Sequence, residues 1–281
     1  MSSPSRIKQS HINKITEASI DAKNRKKYIT VNNIRKRTKI KSYSDNTINR
    51  YIKKALGKQK NPKKDVSNGK TTDFKKYLKP FEIIQVDIKY LTDIDNLKPY
   101  FSNTNDKSLV KYQITARDVL TGFPIVAYCF DKSVYHTTQF LKEILYPFLQ
   151  QFKYLNMKEI IIQTDNGSEF TNRRIITKTG KEAKDTSFTI FVKERFKRHR
   201  TNIPGHCTAN SEVENFHWNI ERDCLGWEDI TDNKSLIKYV DEYINVYIRT
   251  KNKKKGYSPY GKIKETLKVK HIKVPKTKIL T

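Results

Sequence analysis

The chain has few cysteines, and their arrangement predicts neither disulfides nor a metal site. Its 281 residues include three cysteines, Cys129, Cys207 and Cys224, which are an odd number at wide spacing without a CxxC pair. Disulfide-stabilised domains and zinc ribbons need paired or closely spaced cysteines. The sequence therefore predicts neither a disulfide framework nor a cysteine zinc site, and it favours a reducing compartment.

Long apolar segments are also lacking. The longest, near Phe123–Phe130, is interrupted by Pro124 and is far shorter than a bilayer-spanning helix of about 20 residues. The first residues, MSSPSRIKQSHINK, have no apolar core of the kind found in secretory signals. We therefore expect a soluble, cytoplasmic protein without a membrane partner.

Acidic residues are scarce at both ends of the chain. Residues 1–80 contain 23 Lys and Arg against 5 acids, and residues 249–281 contain 12 against one. Removing these excesses of +18 and +11 from the formal net charge of +28 leaves −1 for residues 81–248. Basic flanks indicate a polyanionic partner, because phosphates neutralised by Lys or Arg release condensed counterions. A solvated basic surface, or the lysine bias of an AT-rich genome, is the alternative.

Residues 29–56 fit two short helices with a polar turn between them. Thr30 can cap the first helix, and Ser44 or Asp45 can cap the second. This order is typical of a helix-turn-helix, whose second helix enters the major groove of DNA. A flexible basic linker follows, so residues 1–72 form the first predicted domain.

The second of these helices has one apolar and one polar face. The polar face carries side chains that can reach base edges and phosphates in the major groove. These residues are Asn46, Asn49, Arg50 and Lys53. A plain basic hairpin that touches only phosphates is the alternative, because the turn lacks the usual glycine.

Residues 73–248 are predicted to form an α/β domain. Three β-rich segments come first, in the order FEIIQVDIKYL, YQITARD and FPIVAYCF. A helix over 136–152, a buried strand over 159–164 and further helices follow. This order predicts a mixed sheet with helices on its faces, followed by a basic C-terminal tail over residues 249–281.

Three acids have unusual surroundings. Asp87 lies inside an apolar strand, Asp165 ends a strand before an Asn-Gly pair, and Glu214 lies in a predicted helix. A carboxylate in a buried strand is destabilising unless it is paired or bound to a metal. Metal coordination is one solution for Asp87, and pairing with Lys89 or an arginine is the other. Taken singly, each acid can also be merely structural or solvated.

Four motifs link these acids to a known superfamily. They are VDIKYL, TDNGSEF, IPGHCTANSEVENFHWNIERD and the closing YINVYIRTKNKKKGYSP. From Phe81 to Glu265 the chain resembles the catalytic core of DDE transposases and retroviral integrases, most closely the bacterial insertion-sequence members. The resemblance implies a ribonuclease H-like mixed sheet with helices on both faces, preceded here by a small all-α helix-turn-helix domain.

Carried over position by position, the resemblance implies the site residues. Asp87, Asp165 and Glu214 would be the catalytic residues and the metal ligands, with Asn166 and His217 supporting them. The implied cofactor is Mg²⁺ or Mn²⁺, with two ions per active site. Oxygen ligands suit these ions, and a pair of ions can stabilise both the attacking and the leaving oxygen of a phosphoryl transfer. For His217, a partly exposed helix histidine is the alternative.

A basic cluster precedes the third motif. We expect it to follow a DNA backbone, although a solvated basic face is the alternative. Its members are Arg195, Lys197, Arg198 and Arg200. Zinc is not expected, because His199, His206 and Cys207 have no fourth ligand at finger spacing.

Two departures from the family pattern matter. Ser211 stands where the family usually has Gly, and Ser can cap the helix that follows. The interval from Asp165 to Glu214, 49 residues (214 − 165), is longer than usual. The polar stretch RRIITKTGKEAKDTS accounts for the extra length, and a surface insertion need not move Glu214.

The resemblance implies a DNA transposase or integrase. Such an enzyme binds element ends, cuts them and joins them to target DNA, so it needs a homodimer or a larger assembly to hold two ends. It would act in a bacterial cytoplasm, associated with the nucleoid when bound to DNA. The alternatives are a catalytically silent, transposon-derived DNA-binding protein or repressor, and a nuclease that cuts without strand transfer.

Overall fold

The computed structural model of the chain describes most of the sequence and shows an α/β protein. The described residues are 7–25, 27–57, 77–101, 110–172, 184–202, 210–252 and 255–281. In them, helices surround a six-stranded mixed sheet. The predicted linker after Gly57, most of the predicted insertion, His206 and Cys207 lie outside these ranges. No helix of the described part is long and apolar enough to cross a bilayer.

Three helices form the N-terminal unit. They are α1 (Gln9–Asn24), α2 (Val31–Thr38) and α3 (Asp45–Leu56). The two helices predicted from sequence are α2 and α3, and their predicted caps are present. Thr30 Oγ1 accepts a hydrogen bond from Asn33 N at 3.1 Å, and Ser44 Oγ accepts one from Thr47 N at 3.2 Å. Helix α1 was not predicted from sequence, because few of its residues are apolar and the sequence does not show which helices they pack against.

A tryptophan from the far end of the chain completes the core of the N-terminal unit. Trp227 is 6% exposed and belongs to the same buried cluster as Ile15, Ile34 and Ile48. Polar contacts support the same docking, since Asn33 Nδ2 donates to Arg222 O at 3.3 Å. The N-terminal unit is therefore packed against the rest of the protein by shared apolar surface.

The sheet has six strands. They are β1 (Ile83–Tyr90), β2 (Tyr112–Asp118), β3 (Pro124–Cys129), β4 (Ile161–Thr164), β5 (Arg198–Thr201) and β6 (Lys278–Leu280). Their order across the sheet is β5-β4-β1-β2-β3-β6. Strand β2 is antiparallel to both β1 and β3, and its pairing with β3 forms the predicted hairpin. Strand β4 is parallel to both β1 and β5.

The remaining helices are α4 (Lys98–Phe101), α5 (Val134–Phe140), α6 (Tyr146–Gln150), α7 (Ser187–Arg195), α8 (Ser211–Ile220), α9 (Asn233–Arg249) and α10 (Pro259–Leu267). A π-helical turn over Leu141–Leu145 joins α5 to α6, and another over Glu221–Leu225 extends α8. Helix α8 lies on one face of the sheet. Helix α7 lies on the other, where His199 Nδ1 is 3.0 Å from Thr189 Oγ1.

The residues predicted as a basic C-terminal tail contain α10 and β6. Strand β6 pairs in parallel with β3, with Ala127 opposite Lys278 and Cys129 opposite Leu280. The end of the chain is therefore part of the sheet. A three-residue strand is too short to show an alternating pattern, which is why sequence periodicity does not reveal it.

The docking of the N-terminal unit can be tested with the two tryptophans. Trp227→Ala should lower the free energy of unfolding by about 3 kcal/mol, since it leaves a cavity in a buried cluster. Trp218, 46% exposed, is the matched control, and its replacement by Ala should cost less than about 1 kcal/mol. Urea unfolding monitored by circular dichroism measures both. Equal effects of the two substitutions would show that Trp227 does not hold the units together.

Candidate active site at the ends of two parallel strands

The pairing of β1 with β4 places two of the predicted acids side by side. The two strands are parallel, with Ile83 opposite Ile161 and Gln85 opposite Gln163. Asp87 and Asp165 each lie two residues after the paired glutamines, so they occupy equivalent positions just beyond the paired stretch of the two strands. Neighbouring strands lie about 4.8 Å apart, which brings the two side chains onto the same edge.

Helix α8 runs along β1 on the face that carries Asp87. At its start, Gln85 Oε1 accepts hydrogen bonds from Glu212 N at 3.1 Å and Val213 N at 3.2 Å. Further on, His217 Nδ1 lies 3.7 Å from Asp87 Oδ2. Gln85 therefore fixes the start of α8, and the helix lies over the acids.

The cap of α8 differs from the prediction. Ser211 was expected to cap this helix, but it is the first helical residue, and Asn210, which precedes it, makes no capping hydrogen bond. Its Oδ1 instead accepts from Gln163 Nε2 at 3.3 Å. The free N–H groups of the first turn are satisfied by a strand residue, Gln85, which sequence position alone does not suggest.

Asp87 is mostly buried, and no Lys or Arg among the described residues forms an ion pair with it. Burial raises the pKa of its carboxyl to about 7, and the negative charges of Asp165 and Glu214 add to the shift. Its Oδ1 accepts from Ile88 N at 2.9 Å. In the described structure Lys89 pairs with Glu221 instead, so the ion-pair alternative for Asp87 is not what the structure shows.

The turn after Asp165 is tightly organised. Asp165 Oδ1 accepts from Gly167 N at 2.8 Å, and Asn166 Nδ2 donates to Asn202 O at 2.7 Å. Asn166 thus ties this turn to the end of β5. A Cβ atom on Gly167 would lie 2.4 Å from the Glu169 carboxylate, so any larger residue here would force the Glu169 side chain to shift.

Glu214 and its neighbour Glu212 have different surroundings. Glu212 is 8% exposed, and its Oε2 lies 3.5 Å from Arg117 Nη2 and 3.8 Å from Lys255 Nζ. Glu214 is exposed, no described residue pairs with it, and partial burial raises its pKa. Glu212 is therefore held in a structural ion cluster, and Glu214 is the acid of α8 whose carboxylate is free to bind a ligand.

His217 is buried, so the alternative of a partly exposed helix histidine is wrong. It is 7% exposed, and burial together with the charges of Lys89 and Arg117 lowers its pKa to about 3. Its Nε2 has no hydrogen-bond partner among the described residues. His217 is thus a neutral ring beside Asp87, suited to orienting that carboxylate.

The donor set fits a hard divalent cation in chemical type. All three acids offer oxygen ligands, which Mg²⁺ and Mn²⁺ prefer. The charge of Asp165 and that of Glu214 both raise the pKa of Asp87, and a bound cation would relieve this repulsion. Across the described ranges, however, no three His, Cys, Asp or Glu side chains converge closely enough to hold a metal ion.

Sequence analysis missed the two glutamines, although a signal for them exists. The pattern Ile-Ile-Gln-x-Asp occurs twice, at residues 83–87 and 161–165. The parallel register aligns these two copies with each other. A short repeat at the ends of two strands thus marks residues that play equivalent parts in one sheet.

A second lysine and glutamate pair lies near the acids. Glu169 is 3% exposed, and its Oε1 lies 3.0 Å from Lys132 Nζ, which also donates to Tyr90 OH at 3.2 Å. The negative charge of Glu169 contributes to the raised pKa of Asp87. Glu169 belongs to the second motif, TDNGSEF. Its role could not be predicted from sequence, because only the fold brings Lys132 to it.

The predicted DNA-contact residues are at the surface. On α3, all four predicted residues are exposed: Asn46, Asn49, Arg50 and Lys53. In the basic cluster, Arg195, Lys197 and Arg198 are exposed near the outer strand β5. Arg200 is half-buried, and its guanidinium donates to Gln163 Oε1, so it belongs to the sheet face that leads to the acids.

Comparison with known proteins gives no assignment. No protein-family profile matches the chain, and no curated protein matches it significantly.

The raised pKa of Asp87 predicts a pH-dependent cost in stability. Between pH 4 and pH 7 the folded protein keeps a proton on Asp87 that the unfolded chain releases, so stability is lost as the pH rises through this range. Asp87→Asn removes this loss. In EDTA at pH 8 the variant should be more stable than the wild type by about 2 kcal/mol, given roughly 1.4 kcal/mol per pKa unit and partial exposure.

Denaturant unfolding of both proteins at pH 4.5, 6 and 8 measures this difference. The advantage of Asp87→Asn should shrink as the pH falls, because the wild-type carboxyl then becomes neutral. A difference independent of pH would contradict the assignment of the raised pKa to Asp87.

Proposed function

We propose that the chain is a metal-dependent DNA transposase or integrase with a ribonuclease H-like catalytic domain. The observation that carries the proposal is the equivalent placement of Asp87 and Asp165 on paired parallel strands, beneath the helix that carries Glu214. The mixed sheet, with three antiparallel strands followed by two parallel ones, is compatible with a ribonuclease H-like core. The motif resemblance supplies the reaction class.

In this proposal Asp87, Asp165 and Glu214 hold two Mg²⁺ or Mn²⁺ ions. When bound, such ions favour ionisation of an attacking water and stabilise the charge on the leaving oxygen of a phosphodiester. Asp87 must lose its proton to become a ligand. Because Asp87 lies beside Asp165, loss of this proton is coupled to cation binding. His217 orients Asp87, and Gln85 holds α8 in place. His217 is unsuited to acting as the general base, because burial lowers its pKa to about 3 and makes it too weak a base near pH 7.

DNA is the partner that the charge distribution supports. The N-terminal unit would act as a helix-turn-helix that places the polar face of α3 in the major groove. An open groove of about 1710 Å³ separates this unit from α9, and basic residues of and near α2 line it, among them Arg35, Arg37, Lys39 and Lys41. We further propose a homodimer or larger assembly, acting in a bacterial cytoplasm and associated with the nucleoid when bound to DNA.

A strand-cleavage and strand-joining assay with Mg²⁺ tests the proposal. Its substrate is a labelled DNA duplex from the boundary of the genetic element that encodes the chain. Asp165→Asn and Glu214→Gln should each reduce strand cleavage by about 100-fold or more, since each removes a metal ligand. Glu212→Gln is the matched control, and it should retain cleavage because Glu212 pairs with Arg117.

The products separate the alternatives. Nicked and joined products that depend on the acids support a transposase or integrase. Binding without acid-dependent nicking would instead identify a silent DNA-binding protein or repressor, and nicking without joining would identify a nuclease.

A further inference from the structure

Lys89 continues the polar face of β1 one step beyond Asp87. Side chains alternate along a strand, so Gln85, Asp87 and Lys89 share the face covered by α8. Strand β4 ends at Thr164, whereas β1 continues to Tyr90. Lys89 therefore lies past the parallel pair, at the edge from which a substrate would approach the acids.

The ammonium of Lys89 is held by Glu221. Lys89 Nζ lies 2.6 Å from Glu221 Oε2, and the two side chains are 17% and 22% exposed. Glu221 is the first residue of the π-helical turn that follows α8. Its other oxygen, Oε1, accepts from Tyr28 OH at 3.3 Å. Lys89 is thus held by its own strand and by Glu221 of the π turn, and Glu221 is in turn contacted by the N-terminal unit.

This pair has the position and the spare capacity to bind an anion. An ammonium has three N–H donors, and Glu221 is the one ion partner that the described residues give Lys89. The surrounding carboxylates repel a nucleic acid backbone, so a fixed cation beside them would offset part of that repulsion. A partly buried ion pair adds little net stability by itself, which makes a purely structural role a weak explanation.

We propose that Lys89 binds a backbone phosphate of DNA next to the acidic edge, and that Glu221 holds its ammonium in position to do so. The inference rests on the proposed function, because it takes DNA as the substrate. It adds a substrate-binding residue, Lys89, which lies in the motif VDIKYL, and a positioning residue, Glu221, which lies in the third motif; neither was given a role there.

The salt dependence of DNA binding tests this inference without any cleavage. A labelled DNA duplex is titrated with the full chain in EDTA at several KCl concentrations. Each phosphate contact contributes about 0.9 to the slope of log affinity against log salt. Lys89→Ala should lower this slope by about 1 and weaken binding several-fold, and Lys89→Arg should keep most of both.

The matched control is Lys79→Ala. Lys79 precedes the opposite end of β1 and forms a looser, exposed ion pair, with its Nζ 3.7 Å from Glu159 Oε2. Removing this charge should leave the slope within error. If Lys89→Ala does not fold, the double variant Lys89→Gln and Glu221→Gln keeps both side chains without charge, and it should show the same loss of slope.

The outcomes separate this inference from the proposed function. Salt-dependent binding by the wild type with equal slopes for the Lys89 and Lys79 variants would overturn the role of Lys89 alone. Absence of DNA binding by the wild type would overturn the proposed function as well.

Discussion

The site depends on the parallel pairing of β1 with β4. This pairing aligns two copies of the Ile-Ile-Gln-x-Asp pattern, so that two carboxylates lie at the same level of neighbouring strands. Their mutual repulsion and their burial act together to raise the pKa of Asp87. A slip of one residue in this register would move one of the acids to the opposite face of the sheet. The proposed site therefore rests on the hydrogen-bond register of two short segments far apart in sequence.

A second constraint is the way in which α8 follows β1. Gln85 contacts the backbone of residues 212 and 213, Asp87 contacts His217, and Lys89 contacts Glu221. Two residues of a strand span about 6.6 Å and four residues of a helix rise about 6 Å. A contact between the strand and the helix can therefore form at every second residue of β1 and every fourth residue of α8. The π turn begins where the match ends, at Glu221. This arrangement gives every polar residue on that face of β1 a partner from one helix.

Local patterns predicted much of this structure. The apolar strand around Asp87, the β2–β3 hairpin and the capped helices α2 and α3 all follow from residue type and spacing. The motifs also selected Asp87, Asp165 and Glu214 before any geometry was known. Each of these features depends on residues close together in sequence, or on an acid placed in an apolar strand.

The features that sequence analysis missed depend on distant contacts. Trp227 completes the core of the N-terminal unit from about 200 positions away. Gln85 caps α8, and Glu221 pairs with Lys89, only because the fold brings these elements together. Strand β6 is defined by its pairing with β3 rather than by its composition. Such contacts leave no periodic signal in one sequence.

Calorimetric titration of the protein with Mn²⁺ at pH 7 tests most directly whether the acids form one cation site. Because the pKa of Asp87 is about 7, cation binding should release roughly half a proton, which buffers of different ionisation enthalpy reveal. Binding should weaken strongly in Asp165→Asn and Glu214→Gln. If Asp87 took no part in binding, Mn²⁺ would instead bind near pH 7 without proton release. Mn²⁺ binding that is unaffected by these substitutions and releases no proton would contradict a shared site at the ends of β1 and β4.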